Sequence, residues 1–259
     1  MEATSAAPNY LAGQGALGVE IGSVAIALML LIGYAMQTRQ RGALSIPALC
    51  AIGGLSIFWQ EFYADWGAYL LWSPSFHMMP WKSTLLTTPD KPWFVIFSYP
   101  VFMWSAFAAM LAVTRAAIRR FPNVSPLLVC LLSAGPALFA INLAFEAVSV
   151  AYAGQWSYVD VIGPALTTAA GQQPILYPGI PFGLFGGVAC YLILRQDAQG
   201  RPTFERLLLR PDRLPPGFGR ETLRALSWVL VWNLCYWLLL CTPVIAIREI
   251  FGVPSTLVP

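Results

Sequence analysis

Glu61 and Asp65 stand four residues apart in the run Ile57-Phe58-Trp59-Gln60-Glu61-Phe62-Tyr63-Ala64-Asp65-Trp66. That spacing places both carboxyl groups on one face of a helix. Two like charges so close in a low dielectric resist ionising together, so one is expected to keep its proton at neutral pH. A proton donor beside a proton acceptor is the pair that general acid–base chemistry needs. An uncharged apolar run from Ala43 leads up to the pair. The chain therefore reaches Glu61 while still inside, or just leaving, a bilayer. An ionised acid at the bilayer centre costs on the order of 2.5–3.5 kcal/mol even on mild insertion scales, which makes Glu61 a functional candidate. For Asp65 the plainer alternative is a marker of the interface where the helix ends.

A second polar stripe is formed by Asn142, Glu146 and Ser149, spaced four and three apart on an otherwise apolar segment. Such a stripe must face protein or a cavity rather than lipid. Its plainer role is polar glue between helices; facing Glu61, it would complete a second acid–base group. Aromatic residues crowd both regions: Trp59, Tyr63, Trp66, Tyr69 and Trp72 around the acids, and Trp228, Trp232, Asn233, Tyr236 and Trp237 near the end of the chain. Aromatic side chains commonly form interfacial belts. Their π faces also stabilise carbocations and oxocarbenium ions. Trp228 and Trp232 come early in an outward-running helix, where an outer belt would come late. His77 is the only histidine and, alone in a loop, ranks second as a candidate. The five cysteines all lie in apolar runs without metal-ligand spacing, so a site of several His and Cys ligands is excluded, whereas carboxylates could still hold Mg²⁺ or Ca²⁺. No glycine-rich phosphate loop, dinucleotide fingerprint or serine-nucleophile elbow occurs in a usable context.

The elements that carry these residues are membrane helices. Of 259 residues 58% are hydrophobic and 10% charged, against about 25% charged in a soluble domain. A single all-α domain over 1–259 is expected, a polytopic bundle of about six spans (five to seven), each of roughly 20 residues. The spans fall near 17–36, 44–65, 93–114, 125–149, 175–194 and 223–247. The fifth is interrupted by Pro178, Pro181, Gly183, Gly186 and Gly187, which suits a broken helix bordering a cavity. Met1 to Gln14 lacks the marks of a removable signal peptide. One side of the membrane receives Arg39, Arg41, Arg115, Arg119, Arg120 and the basic run from Arg195 to Arg224; the other receives Lys82, Lys91 and Arg248. The arginine-rich side is thus cytoplasmic and both termini lie outside. The basic run also attracts anionic lipid. In this orientation Glu20, Glu61, Asp65 and Glu146 gather toward the outer leaflet. The outer loops near 66–92 and 150–174, rich in Trp, Tyr, Pro and Gly, are placed to fold back as a lid.

Over about Ser56 to Arg206 the chain resembles the bacterial membrane proteins grouped as the spirocyclase AveC family. The resemblance rests on an order of features: Trp59-Gln60-Glu61, Ala68-Tyr69-Leu70, Pro80-Trp81, arginines before Phe121-Pro122, and Glu146. It continues through Gly154-Gln155-Trp156-Ser157-Tyr158, Leu176-Tyr177, and the loop from Arg195 through Asp197, Gly200, Thr203 and Glu205 to Arg206. The family often has aspartate at the position of Glu61 and further acids where this chain has Asn142 and Pro178. The resemblance implies a cofactor-free cyclase of secondary metabolism in the bacterial cytoplasmic membrane. Such an enzyme closes a hydrophobic dihydroxy-ketone polyketide into a spiroketal by dehydration. It implies Glu61 as principal acid and Asp65 or Glu146 as base. Trp59, Tyr63, Tyr69, Asn142, Trp156, Tyr177, Trp232, Asn233 and Tyr236 are expected to contact the substrate. The expected partners are a lipophilic small molecule and membrane lipid, and not nucleic acid. The same residues would serve a transmembrane terpene cyclase that protonates an isoprenoid epoxide or alkene. Two other classes remain: a proton-coupled transporter of a lipophilic solute, and a structural subunit whose acids bind a partner helix.

Overall fold

The computed structural model describes residues 13–82, 84–151, 153–168 and 171–259. The signal-peptide expectation for Met1 to Gln14 therefore lies almost wholly outside the described residues. Helix α1 (Gly13–Arg41) is followed by α2 (Ile46–Gly67), a short strand β1 (Leu70–Trp72), α3 (Val95–Arg120) and α4 (Pro126–Ala151). Strands β2 (Trp156–Tyr158), β3 (Ala165–Thr168) and β4 (Gly171–Pro174) precede α5 (Gly179–Leu194) and the short α6 (Thr203–Leu208). Helix α7 (Phe218–Tyr236) passes through a π turn at Trp237–Cys241 into α8 (Thr242–Phe251).

Among the described residues, four helices are long and apolar enough to cross a membrane: Gly15–Arg41, Val95–Arg120, Pro126–Ala151 and Phe218–Phe251. The expectation of about six spans is thus met by four on length and composition. Helix α5 is too short, because the chain enters it only at Gly179, after Pro178. Helix α2 is long enough, but its second half carries Trp59, Gln60, Glu61 and Tyr63. It tolerates them because it is the central helix, packed on α3, α7 and α8. Ser45 opens it, its hydroxyl oxygen accepting from the Ala48 amide. Pro47 sits in the first turn, where a missing N–H leaves no bond unmade.

The glycines of α5 do not break it. Gly179, Gly183 and Gly187 recur every fourth residue and form a stripe against α4, the arrangement that lets membrane helices approach closely. A Cβ on Gly183 would lie 2.8 Å from the carbonyl oxygen of Gly135, and a Cβ on Gly186 would lie 2.6 Å from Leu138. The first of these neighbours is backbone and can yield only if the helices separate. Gly183→Ala is therefore expected to destabilise the fold by about 1–3 kcal/mol, the usual cost of overpacking, and thermal unfolding in lipid or detergent measures it.

The all-helical expectation also needs an addition, since pieces of the two aromatic loops pair into a four-stranded sheet of order β1-β2-β4-β3. Leu70 pairs with Tyr158 and Trp72 with Trp156 in antiparallel register. Alternation along a strand puts these four side chains on one face. Strands of three or four residues are too short for alternation to show in sequence. The sheet caps the end of the bundle where α2 and α4 finish. At that same end Arg248 lies over the rings of Trp66 (3.7 Å to the centroid) and Tyr69 (4.1 Å), and binds the carbonyls of Trp66 and Val258. Tyr69 has a left-handed backbone, φ 58°, which turns the chain from α2 into β1. The opposite end is tied by Arg224. Its guanidinium donates to Glu205 (2.8 Å) and Glu221 (2.7 Å) and to the carbonyl of Leu44 (3.0 Å).

Candidate active site

Between the sheet and the middle of the bundle lies a cavity of about 440 Å³. Glu61 and Asp65 enter it from α2, Glu146 and Asn142 from α4, Tyr99 from α3 and Tyr236 from α7. Helical spacing explains each supplier. Ser98, Tyr99, Phe102 and Ser105 form one face of α3, Ile141, Asn142, Phe145 and Glu146 one face of α4, and Val19, Ser23 and Ile26 one face of α1. The sheet contributes Leu70, Trp72, Trp156 and Tyr158, the four residues its pleat turns inward. The remaining wall is mostly apolar and aromatic, with Phe94, Phe182 and Leu240. Few polar groups converging in an apolar chamber of this size is the usual form of a small-molecule site.

The three acids are held differently. One oxygen of Glu61, Oε2, meets the hydroxyls of both Tyr99 and Tyr236, the latter at 2.7 Å. The two hydroxyls are also 2.7 Å from each other. Asp65 accepts from the Trp72 indole on Oδ2 at 2.8 Å, and among the described residues its Oδ1 has no protein donor. Glu146 accepts from Asn142 (2.7 Å) on Oε1, and from Gln173 (2.8 Å) and the Tyr158 hydroxyl on Oε2. Burial, then the neighbouring Glu146 carboxylate, push the Tyr158 phenol well above its ordinary range, so it remains a donor. Among the described residues no three His, Cys, Asp or Glu side chains are grouped to hold a metal ion.

Of the twelve residues expected to catalyse or to contact the substrate, Glu61, Asp65, Glu146, Asn142, Trp156 and Tyr236 share this cavity; the other six do not line it. Trp59 and Tyr63 sit two residues either side of Glu61, hence about 200° around the helix from it. They cluster instead with Trp237, at 6.1 and 5.1 Å between ring centroids. Asn233 joins the same outer face, accepting from Trp59 (3.1 Å) and Gln60 (2.7 Å) and donating to Ser56 (2.8 Å). Trp232 lies one turn below Tyr236, packed on Phe107 and Phe185 and against the bare backbone of Gly53. Tyr69 exchanges hydrogen bonds with the backbone of Val253, and Tyr177 bonds the carbonyls of Gly67 and Val244. Both brace the end of α2. Ser149 is buried but stands outside the wall. Glu20 binds the ring of His77 at 2.7 Å and its amide at 2.6 Å, tying α1 to the loop between β1 and α3, away from the cavity. Residues not singled out as site candidates include Tyr99, Phe102, Phe145 and Tyr158, while Trp72, noted among the aromatics around the acids, also lines the cavity. The polar recurrence Ser98, Tyr99, Ser105 on an apolar helix was the signal for the first of them.

Residues 43–259 match the family described as spirocyclase AveC-like. No curated protein and no solved structure is detectably similar to the chain.

Proposed function

We propose, from the premise that the chain belongs to the spirocyclase AveC-like family, that the cavity is the reaction chamber of a membrane-embedded, cofactor-independent cyclase. Its reaction is the closure of a hydrophobic dihydroxy-ketone to a spiroketal with loss of one water. The observation that carries this reading is the triangle of oxygens from Glu61, Tyr99 and Tyr236. Three hydrogen-bonded edges need three hydrogens. The two phenols supply two, and the third is a proton on Glu61. Glu61 is therefore the acid, and its proton lies in a hydrogen-bonded triangle that itself lines an apolar chamber.

The other two acids then take complementary parts. One substrate hydroxyl adds to the ketone to give a hemiketal. Glu61 protonates the hemiketal hydroxyl, the C–O bond breaks, and water leaves an oxocarbenium ion. The second hydroxyl attacks that carbon and gives its proton to the open Oδ1 of Asp65. Return of this proton to Glu61, one helical turn away, resets the pair. Glu146, with three donors and no acceptor among its partners in the described residues, is a fixed carboxylate. It stabilises the cation together with the faces of Trp72, Phe145 and Trp156.

The test is incubation of the purified protein in lipid vesicles with a synthetic dihydroxy-ketone whose hydroxyl oxygens are isotopically labelled. One spiroketal stereoisomer retaining both labels is expected. Turnover of an isoprenoid epoxide with the ketone untouched would replace this reading with the terpene-cyclase type. Solute uptake driven by a pH gradient without conversion would replace it with a carrier.

A further inference from the structure

The cavity's exposed residues are confined to one side. Among the described residues that line it, Ile26, Ser105 and Phe145 are the exposed ones, Ile26 at 43% and Phe145 at 48%. The sheet end is shut, since Leu70, Trp72, Trp156 and Tyr158 are all buried. The far end is shut by buried Trp232, Phe107 and Phe185 beneath Tyr236. Helix α3 packs on both α1 and α4, so the three exposed residues mark a gap between α1 and α4 that runs across the face of α3.

The height of this gap decides what it opens onto. Ser105 lies ten residues into α3 and Ile26 thirteen into α1, so each stands about 15–20 Å along its helix. That is close to the middle of helices that are themselves candidate spans. Phe145 is six residues from the end of α4, about 9 Å below it. The rim therefore lies within the ~30 Å hydrocarbon layer, not at its surface. Its outward neighbours agree, because Met29, three residues from Ile26, and Val148, three from Phe145, are large, apolar and exposed. A water-facing mouth would not be surrounded in this way. The serine hydroxyls at Ser98, Ser23 and Ser105 give a polar lane across the rim for a molecule that carries its own hydroxyls.

We propose that this gap is a lateral portal through which the substrate enters the chamber directly from the lipid. The substrate class is thereby narrowed to apolar polyols that partition into the bilayer. The inference rests on the reading of the cavity as a substrate chamber, but its test does not require turnover. Vesicles are loaded with a lipid-soluble alkanol bearing a diazirine, irradiated, and the labelled residues mapped by mass spectrometry. In the parent protein, label is expected on Trp156 and Phe182 inside the chamber, and on lipid-facing Leu132 and Leu230. A membrane-excluded charged diazirine should leave Trp156 and Phe182 unlabelled. The double substitution Ile26→Trp and Ser105→Trp fills the gap. It should abolish interior label while Leu132 and Leu230 label as before. Interior label that survives the double substitution, or that the charged probe delivers equally to the parent, overturns the portal. The parent comparison stands alone if the double variant fails to fold. Portal labelling without any cyclisation would sink the catalytic reading and leave the portal standing. Cyclisation with interior labelling indifferent to the plug would do the reverse.

Discussion

Glu61→Gln is expected to lower turnover by about 10²–10⁴-fold, the range a positioned general acid supplies, while leaving the protein folded. The amide has nearly the shape of the carboxyl group and keeps one oxygen. That oxygen can still accept from one phenol, as Oε2 of Glu61 does within the triangle. What is lost is the transferable proton, the third hydrogen of the triangle. Little unfolding penalty follows, because the new NH₂ group faces the cavity rather than a packed donor. The measurement is kcat in lipid vesicles beside thermal unfolding of the same preparation. Normal turnover in this variant would remove Glu61 from the mechanism. Asp65→Asn is the informative companion. It keeps the bond from Trp72 but cannot take up a proton, so activity should fall there too.

The positions of the helices could be read from the sequence because apolar runs are long-range patterns that local accidents do not erase. The acids could be read because burying a carboxyl group is costly and needs a reason. Other features resisted for physical reasons. Gly179, Gly183 and Gly187 carry the same letters whether they break a helix or let another helix approach, and only the facing Gly135 decides. Trp72 and Trp156 sit on strands of three residues, below the length at which a period of two is visible. Trp59 and Tyr63 drew attention as sequence neighbours of Glu61, whereas a helix sends neighbours two apart to opposite faces. The residue that does meet Glu61, Tyr99, lies on another helix 38 positions away. Tyr158 reaches Glu146 from a strand 12 positions on. Pairings of this kind are set by packing and leave only a faint trace, such as the polar stripe on α3.

Glu146→Gln should behave differently from Glu61→Gln, and the difference separates a catalytic anion from structural glue. Three donors converge on Glu146: Asn142 on one oxygen, Gln173 and Tyr158 on the other. An amide offers one acceptor oxygen and one NH₂, so whichever way it turns, a donor meets a donor. Leaving a buried polar group unpaired costs about 1–3 kcal/mol, so the unfolding temperature should drop, unlike that of Glu61→Gln. The same change removes the fixed negative charge that faces the oxocarbenium ion. Loss of one preorganised electrostatic partner lowers kcat by about 10²–10³-fold, counted per folded molecule. Tyr158→Phe provides the control. It deletes one donor and keeps the charge, so it should cost stability with a much smaller loss of turnover. If Glu146 only glues α4 to the sheet, both variants lose stability alike and neither loses turnover per folded molecule. If it stabilises the cation, the two part company in kcat while remaining similar in thermal unfolding.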